Sequence, residues 1–220
     1  MASDIFYGLT KPELKKEIDA QVAVDNRSLP RRAKIFAAIA HLQEFDQLPE
    51  IATVEELDKH CAEGAQSATE LNRGLSASSG IPGNFYAREL LLGPLYPGTQ
   101  SALGNGIHLA DPSEKFEQAG FAKISVVARE YAQREKPGMI VRCGLKFNSN
   151  VIALDDVRQL FRENRNRARD VGLTDAGAFA AALGFDAIVC EHIYDHTEER
   201  VWIVLNRGAL IFQRTGLQIA

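Results

Sequence analysis

Apolar positions in the first third of the chain recur at helical spacing. Thr10, Pro12 and Glu13 form a helix start ahead of Leu14 and Ile18, which lie four apart on one face. Ile35, Phe36, Ile39 and Leu42 repeat that spacing across Arg32–Glu44. Thr53-Val54-Glu55-Glu56 is a capping box: the threonine oxygen accepts from the N3 amide, and the glutamate reaches back to the cap N–H. The helix it opens is expected to run to about Leu71. Residues 1–74 therefore read as a helical segment, the kind of element that forms a lid, a brace or a surface for a cognate partner.

The period then changes. Residues 74–84, GLSASSGIPGN, concentrate glycine, proline and serine and mark the clearest boundary in the sequence. Beyond it, short apolar runs predict strands over Phe85–Leu92, Ile107–Ala110, Met139–Phe147, Ala187–Val189, Val201–Leu205 and Leu210–Phe212. The last two are joined by a hairpin-like Asn206-Arg207-Gly208. Asp111-Pro112-Ser113-Glu114 reads as a helix start, with aspartate at the cap and proline in the first turn. Further helices are expected over Ala122–Arg134, Asp155–Val171 and Thr174–Leu183. Strands that close the chain after interspersed helices predict an α+β domain over 84–220, not a doubly wound sheet.

Composition narrows the class. A 45% hydrophobic and 25% charged content is that of an ordinary globular protein. No apolar run approaches the roughly 20 residues that span a bilayer. The opening MASDIFYGLTKPELKKE lacks the basic and apolar regions of a secretory signal. A cytoplasmic protein, or one delivered into a target cell by a non-classical route, fits these features, and no membrane partner is expected. Three cysteines without a C-x-x-C pair predict free thiols in a reducing compartment. The net charge of −4 is uneven: the first 80 residues hold 9 Lys+Arg against 13 Asp+Glu, and the remainder hold 16 of each. A pI of 5.8 gives no global electrostatic case for nucleic acid.

Candidate chemistry centres on Gly104-Asn105-Gly106, which precedes a short strand. Glycine allows positive φ and close approach of backbone to a ligand; a plain turn centred on Asn-Gly satisfies the same spacing. It is not the dinucleotide fingerprint, because no third glycine follows and no βαβ unit surrounds it. His192 and His196 have the spacing of metal ligands on a helix but lie in a predicted loop, so no metal is expected.

Five pieces in order, Arg88, Leu103–Ala110, Ala128–Ala132, Gly184–Ile188 and Val204–Leu210, resemble ADP-ribosyltransferase domains of bacterial toxins and phage proteins, with a PARP-like G-N-G-I-H strand. The resemblance covers roughly residues 84–214. It implies a split antiparallel β-sheet whose cleft holds NAD bent, as substrate. Cleaving the nicotinamide–ribose bond passes through an oxocarbenium-like ribose, which calls for a held pyrophosphate and negative charge near the developing cation.

The resemblance also implies roles for single residues. Arg88 would contact the NAD phosphates and support catalysis, a task suited to a planar, permanently charged fork. Gly104, Asn105 and Gly106 would line the NAD site, Gly106 letting the nicotinamide amide meet backbone groups, and His108 would pack on its ring where relatives usually carry tyrosine. Tyr131 is a second aromatic for the cleft or the core, and Asn206 would bond the ribose or cap a turn. The family's late-strand glutamate falls near Val201 or Trp202, where none stands; Glu191, Glu198 and Glu199 lie ahead. Glu199 is the first choice for the acid because residues 199, 201, 203 and 205 share one face of an extended strand. Glu198 is the second, and two solvated loop glutamates are the bland alternative.

The expected function is an NAD-dependent mono-ADP-ribosyltransferase, toxin- or effector-like, modifying a macromolecule, protein or nucleic acid. An NAD glycohydrolase, or a module that has lost its acid and only binds, fits the same features. Arg158, Arg162, Arg165 and Arg169 follow a 4-3-4 spacing on one helix face. That face is either a solvated surface or a contact for an acidic protein or for RNA or DNA phosphates.

Overall fold

The near-continuous apolar run over residues 138–145, buried on both faces, makes the longest strand of a mixed ten-stranded sheet. The computed structural model describes residues 2–4, 50–75, 107–118, 120–134, 138–170, 173, 176–190 and 199–219. The helices expected over 10–44 and the strand expected over 85–92 lie outside them. So do Arg88, Gly104, Asn105, Gly106, Glu191, His192, His196 and Glu198.

The strands are β1 (Ala2–Asp4), β2 (Glu50–Ala52), β3 (Thr69–Leu75), β4 (Ile107–Ala110), β5 (Glu114–Gln118), β6 (Phe121–Ile124), β7 (Gly138–Leu145), β8 (Val151–Ala153), β9 (Ala187–Cys190), β10 (Val201–Val204), β11 (Leu210–Gln213) and β12 (Thr215–Ile219). The helices are α1 (Val54–Cys61), α2 (Val126–Gln133), α3 (Leu154–Glu163), α4 (Arg165–Asp170) and α5 (Ala176–Ala182). The main sheet runs β1-β12-β7-β3-β4-β10-β9-β8, with β11 pairing β7 and β2; β5 and β6 form a separate two-stranded ribbon. The class is α+β as expected, but the sheet is mixed: β2 with β11 and β8 with β9 are parallel pairs.

One face of the sheet carries Leu71, Leu75, Ile107, Leu109, Val141, Trp202, Val204 and Phe212, all within 6% exposure, in a single core cluster. The opposite face carries the helices. There α2 lies over β3 and β7 so closely that a methyl group at Gly74 or Gly138 would run into the Ala128 or Ala132 carbonyl; only glycine permits that approach. Further along, Val157, Ala168 and Phe179 of α3–α5 pack on Ile188, Val201 and Ile203. Among the described residues no helix is long and apolar enough to cross a membrane.

Five expectations are corrected. The helix expected over Ala122–Arg134 starts only at Val126, because Phe121–Ile124 pairs with Glu114–Gln118 as β6 of the ribbon. The capping box at Thr53 and Glu56 forms in both directions, yet its helix stops at Cys61. The chain turns at Ala62–Gln66, and Thr69–Leu75 pairs with β7 along its whole length instead of remaining helical to Leu71. Tertiary pairing overrides local propensity here. Asp111 does not open a helix: its carboxylate accepts from Arg200 Nε at 2.7 Å and Trp202 Nε1 at 2.8 Å, and the chain enters the β5–β6 ribbon.

Asn206-Arg207-Gly208 does not join a hairpin. Its 3₁₀ turn carries the chain from β10, beside β4 and β9, across to β11, beside β7. The single helix expected over 155–171 kinks at Asn164. There the side-chain Nδ2 donates to the Leu160 carbonyl at 2.9 Å in competition with the backbone. Backbone bonds Asn164 N to Leu160 O and Ala168 N to Asn164 O keep the helical path across the kink.

Candidate functional site

β3 and β4 are neighbours in the sheet, but they share one bridge, Asn72 opposite Ala110. On its other edge β4 pairs with β10 along its full length, from Val201 opposite Ala110 to Val204 opposite Ile107. The sheet therefore parts beyond the bridge, on the side where His108 and Ile107 lie. Arg73 stands opposite Val141 on the apolar face of the sheet, the face away from the His108 ring, and its Nη1 donates to the His108 carbonyl at 2.8 Å. A side chain thus takes a backbone acceptor that a strand partner would otherwise satisfy.

His108 stands opposite Ile203 and so shares the helix-bearing face. On that face α2 covers β3 to one side and α3–α5 cover β9 and β10 to the other. The ring is half-buried. Burial, reinforced by the neighbouring Arg73 charge, pushes its pKa down from 6.5 to about 4, so it is neutral at physiological pH.

Glu199 is the other polar centre, and it is 3% exposed. Ser125 is the N-cap of α2, its hydroxyl oxygen accepting from Ala128 N at 2.9 Å. The same hydroxyl donates to Glu199 Oε2 at 2.6 Å. The N–H groups of Val126 and Val127 donate to the two carboxylate oxygens at 2.6 and 3.2 Å, and Ser113 Oγ adds a further bond to Oε1. The carboxylate therefore sits on the positive end of α2, with its lone pairs taken by four donors. Buried Asn72 joins the cluster, its Oδ1 accepting from Ser125 N at 2.7 Å, while its Nδ2 finds no partner.

The remaining sequence candidates are placed apart from these two centres. Tyr131 is 38% exposed near the C-terminal end of α2, with the Arg134 guanidinium 5.0 Å from its ring centre, so it is not a core residue. Asn206 lies beyond the far end of β10 from Glu199. Its Nδ2 donates to Asp186 at 2.6 Å and its Oδ1 accepts from Gly208 N at 2.9 Å, so it caps the turn. Arg158, Arg162, Arg165 and Arg169 are exposed on α3 and α4.

The three cysteines are free; burial pushes Cys61 and Cys190 up to about 11 and raises Cys143 well above the ordinary thiol value, so none is a thiolate at neutral pH. Among the described residues no cluster of histidine, cysteine, aspartate and glutamate could hold a metal ion.

The sequence reading missed Arg73 and the hydroxyl pair at Ser113 and Ser125. Arg73 carried a usable signal: Leu71, Arg73 and Leu75 alternate with Asn72 and Gly74, a period of two within the segment read as helix and boundary. No protein-family model matches the chain, and no curated protein or solved structure is significantly similar to it.

Proposed function

We propose that the chain binds NAD along β4, where the sheet parts from β3, and transfers its ADP-ribose to a macromolecule. The observation that carries this reading is the single β3–β4 bridge with Arg73 reaching across the opening. It supports the split sheet that the sequence resemblance implies. Arg73 joins Arg88 as a candidate to hold the pyrophosphate, since a guanidinium fork matches phosphate oxygens. A neutral His108 offers a flat ring without the cost of burying a charge against nicotinamide. In the reaction the C1′–nitrogen bond breaks, nicotinamide leaves with the electron pair, and an acceptor nucleophile bonds to C1′.

Glu199 enters this reading as a positioning residue that fixes the start of α2 and the approach to β10. Its burial and four donors also favour a second reading, a module of the same fold that holds NAD without cleaving it. The two readings separate on one experiment. With nicotinamide-labelled and adenylate-labelled NAD and a cell lysate, transfer releases nicotinamide and labels a macromolecule, and Arg73→Gln abolishes both. A binding module retains the labels in intact, dissociable NAD. Protein that neither holds nor consumes NAD refutes both.

A further inference from the structure

α3 and α4 present a surface that the NAD reading does not use. The two helices carry five arginines, Arg158, Arg162, Arg165, Arg167 and Arg169, with carboxylates at the ends, Asp155, Asp156 and Asp170, and Glu163 between; Gln159 donates to Glu163 at 2.9 Å. All five arginines are exposed. Among the described residues the one carboxylate within ion-pair reach of any of them is Asp155, 3.5 Å from Arg158. Arg162 spends its Nε on the Arg158 carbonyl at 3.3 Å. The group contains no lysine, and exposed Asn166 lies within it.

We infer that this kinked helix is a docking surface for the phosphate backbone of a nucleic-acid duplex. Guanidinium forks bond phosphate oxygens in pairs, which makes an all-arginine surface suited to phosphodiesters. Within each helix the paired arginines, Arg158 with Arg162 and Arg165 with Arg169, stand about 6 Å apart along the axis, a length that faces about two phosphates of one strand. An acidic protein would need an apolar centre to bury, because charge at a protein interface chiefly forms the rim. None exists here: the exposed large apolar residues among those described are Tyr131, Phe147, Val151 and Leu183, and none lies on α3 or α4.

Nor does the surface expose an aromatic ring for base stacking, which favours a duplex backbone over an unpaired strand. The net charge of −4 does not oppose local binding, since charges more than about 8 Å away are largely screened at physiological salt. Val157 and Ala168 seat the two helices on Ile203, the partner of His108, so the surface lies on the same side of the sheet as that ring.

Fluorescence anisotropy of labelled 20-base-pair DNA and RNA duplexes, with no NAD present, tests this independently of the proposed activity. The full chain should bind a duplex at 50 mM salt, with log K falling against log salt at a slope of about −4. Replacing Arg158, Arg162, Arg165 and Arg169 with glutamine should weaken binding at least tenfold and flatten the slope, with the circular dichroism spectrum unchanged. Lys59→Gln with Lys123→Gln, exposed elsewhere, should change it less than twofold. The inference is overturned if neither duplex binds or if the four-arginine variant binds as the wild type does. It is equally overturned if a polyglutamate peptide of matched charge binds more tightly than either duplex.

Discussion

Arg142 sits midway along β7 with two carboxylates against its guanidinium, whereas Glu199 stands at the approach to β10 with no cation beside it among the described residues. Arg142 donates from Nε and Nη2 to Glu70 at 2.6 and 3.0 Å, from Nη1 to Asp58, and to the Gly120 carbonyl at 3.1 Å. Burial opposes its charge, but Glu70 and then Asp58 outweigh that and raise its pKa. Glu199 is held by hydroxyls and helix N–H groups instead. The first arrangement is a closed ion network tying α1, β3, β7 and the β5–β6 turn together. The second is an anion seated on the Ser113 and Ser125 hydroxyls and the first N–H groups of α2. The fold is held by ion pairs around Arg142 and by neutral donors around Glu199, which stands at the Ala110 end of β4, across the Asn72–Ala110 bridge from the parting at His108.

That contrast breaks first at Arg142. Arg142→Ala strands Glu70 without its guanidinium and should cost about 3–5 kcal/mol in urea unfolding. A loss below about 1 kcal/mol would mean the network locks nothing.

His108 adds a third way of handling a buried ionisable group, which is to keep it neutral. The unfolded chain takes up a proton there near pH 6.5 and the folded chain near 4, so acidification favours the unfolded state. Its contribution is complete above pH 6.5 and is lost as pH falls to 4, a change on the order of 3 kcal/mol. Stability of wild type and His108→Gln measured between pH 7.5 and 4 should differ in slope across that window. Parallel curves would show the ring to be solvated.

Glu199→Ala should cost about 2 kcal/mol by stranding buried donors. Glu199→Gln, which keeps an acceptor oxygen, should cost less, and neither loss should depend on salt. A salt-sensitive loss would reveal a cation partner and dissolve the comparison.

Much of the strand layout could be read in advance because β4, β7, β9, β10 and β11 are short apolar runs bounded by polar turns. The capping box at Thr53 was equally plain, its two bonds being local. What could not be read depends on distant partners. Asp111 has every mark of a helix cap until Arg200 and Trp202 claim its carboxylate. Glu199 was singled out from strand parity, but its four donors come from Ser113, Ser125, Val126 and Val127, more than seventy positions away. No local pattern in the sequence predicts that convergence. His108 was singled out because its motif is contiguous; Arg73 was passed over because a well-signalled helix was extended into its strand.

NAD is proposed to bind where β3 and β4 part, and isothermal titration of NAD into the wild type and Arg73→Gln is the decisive experiment. Saturable binding of one NAD per chain, lost in an Arg73→Gln protein whose circular dichroism and urea midpoint match the wild type, is the predicted result. No heat of binding to the wild type, or equal affinity in the two proteins, would contradict it.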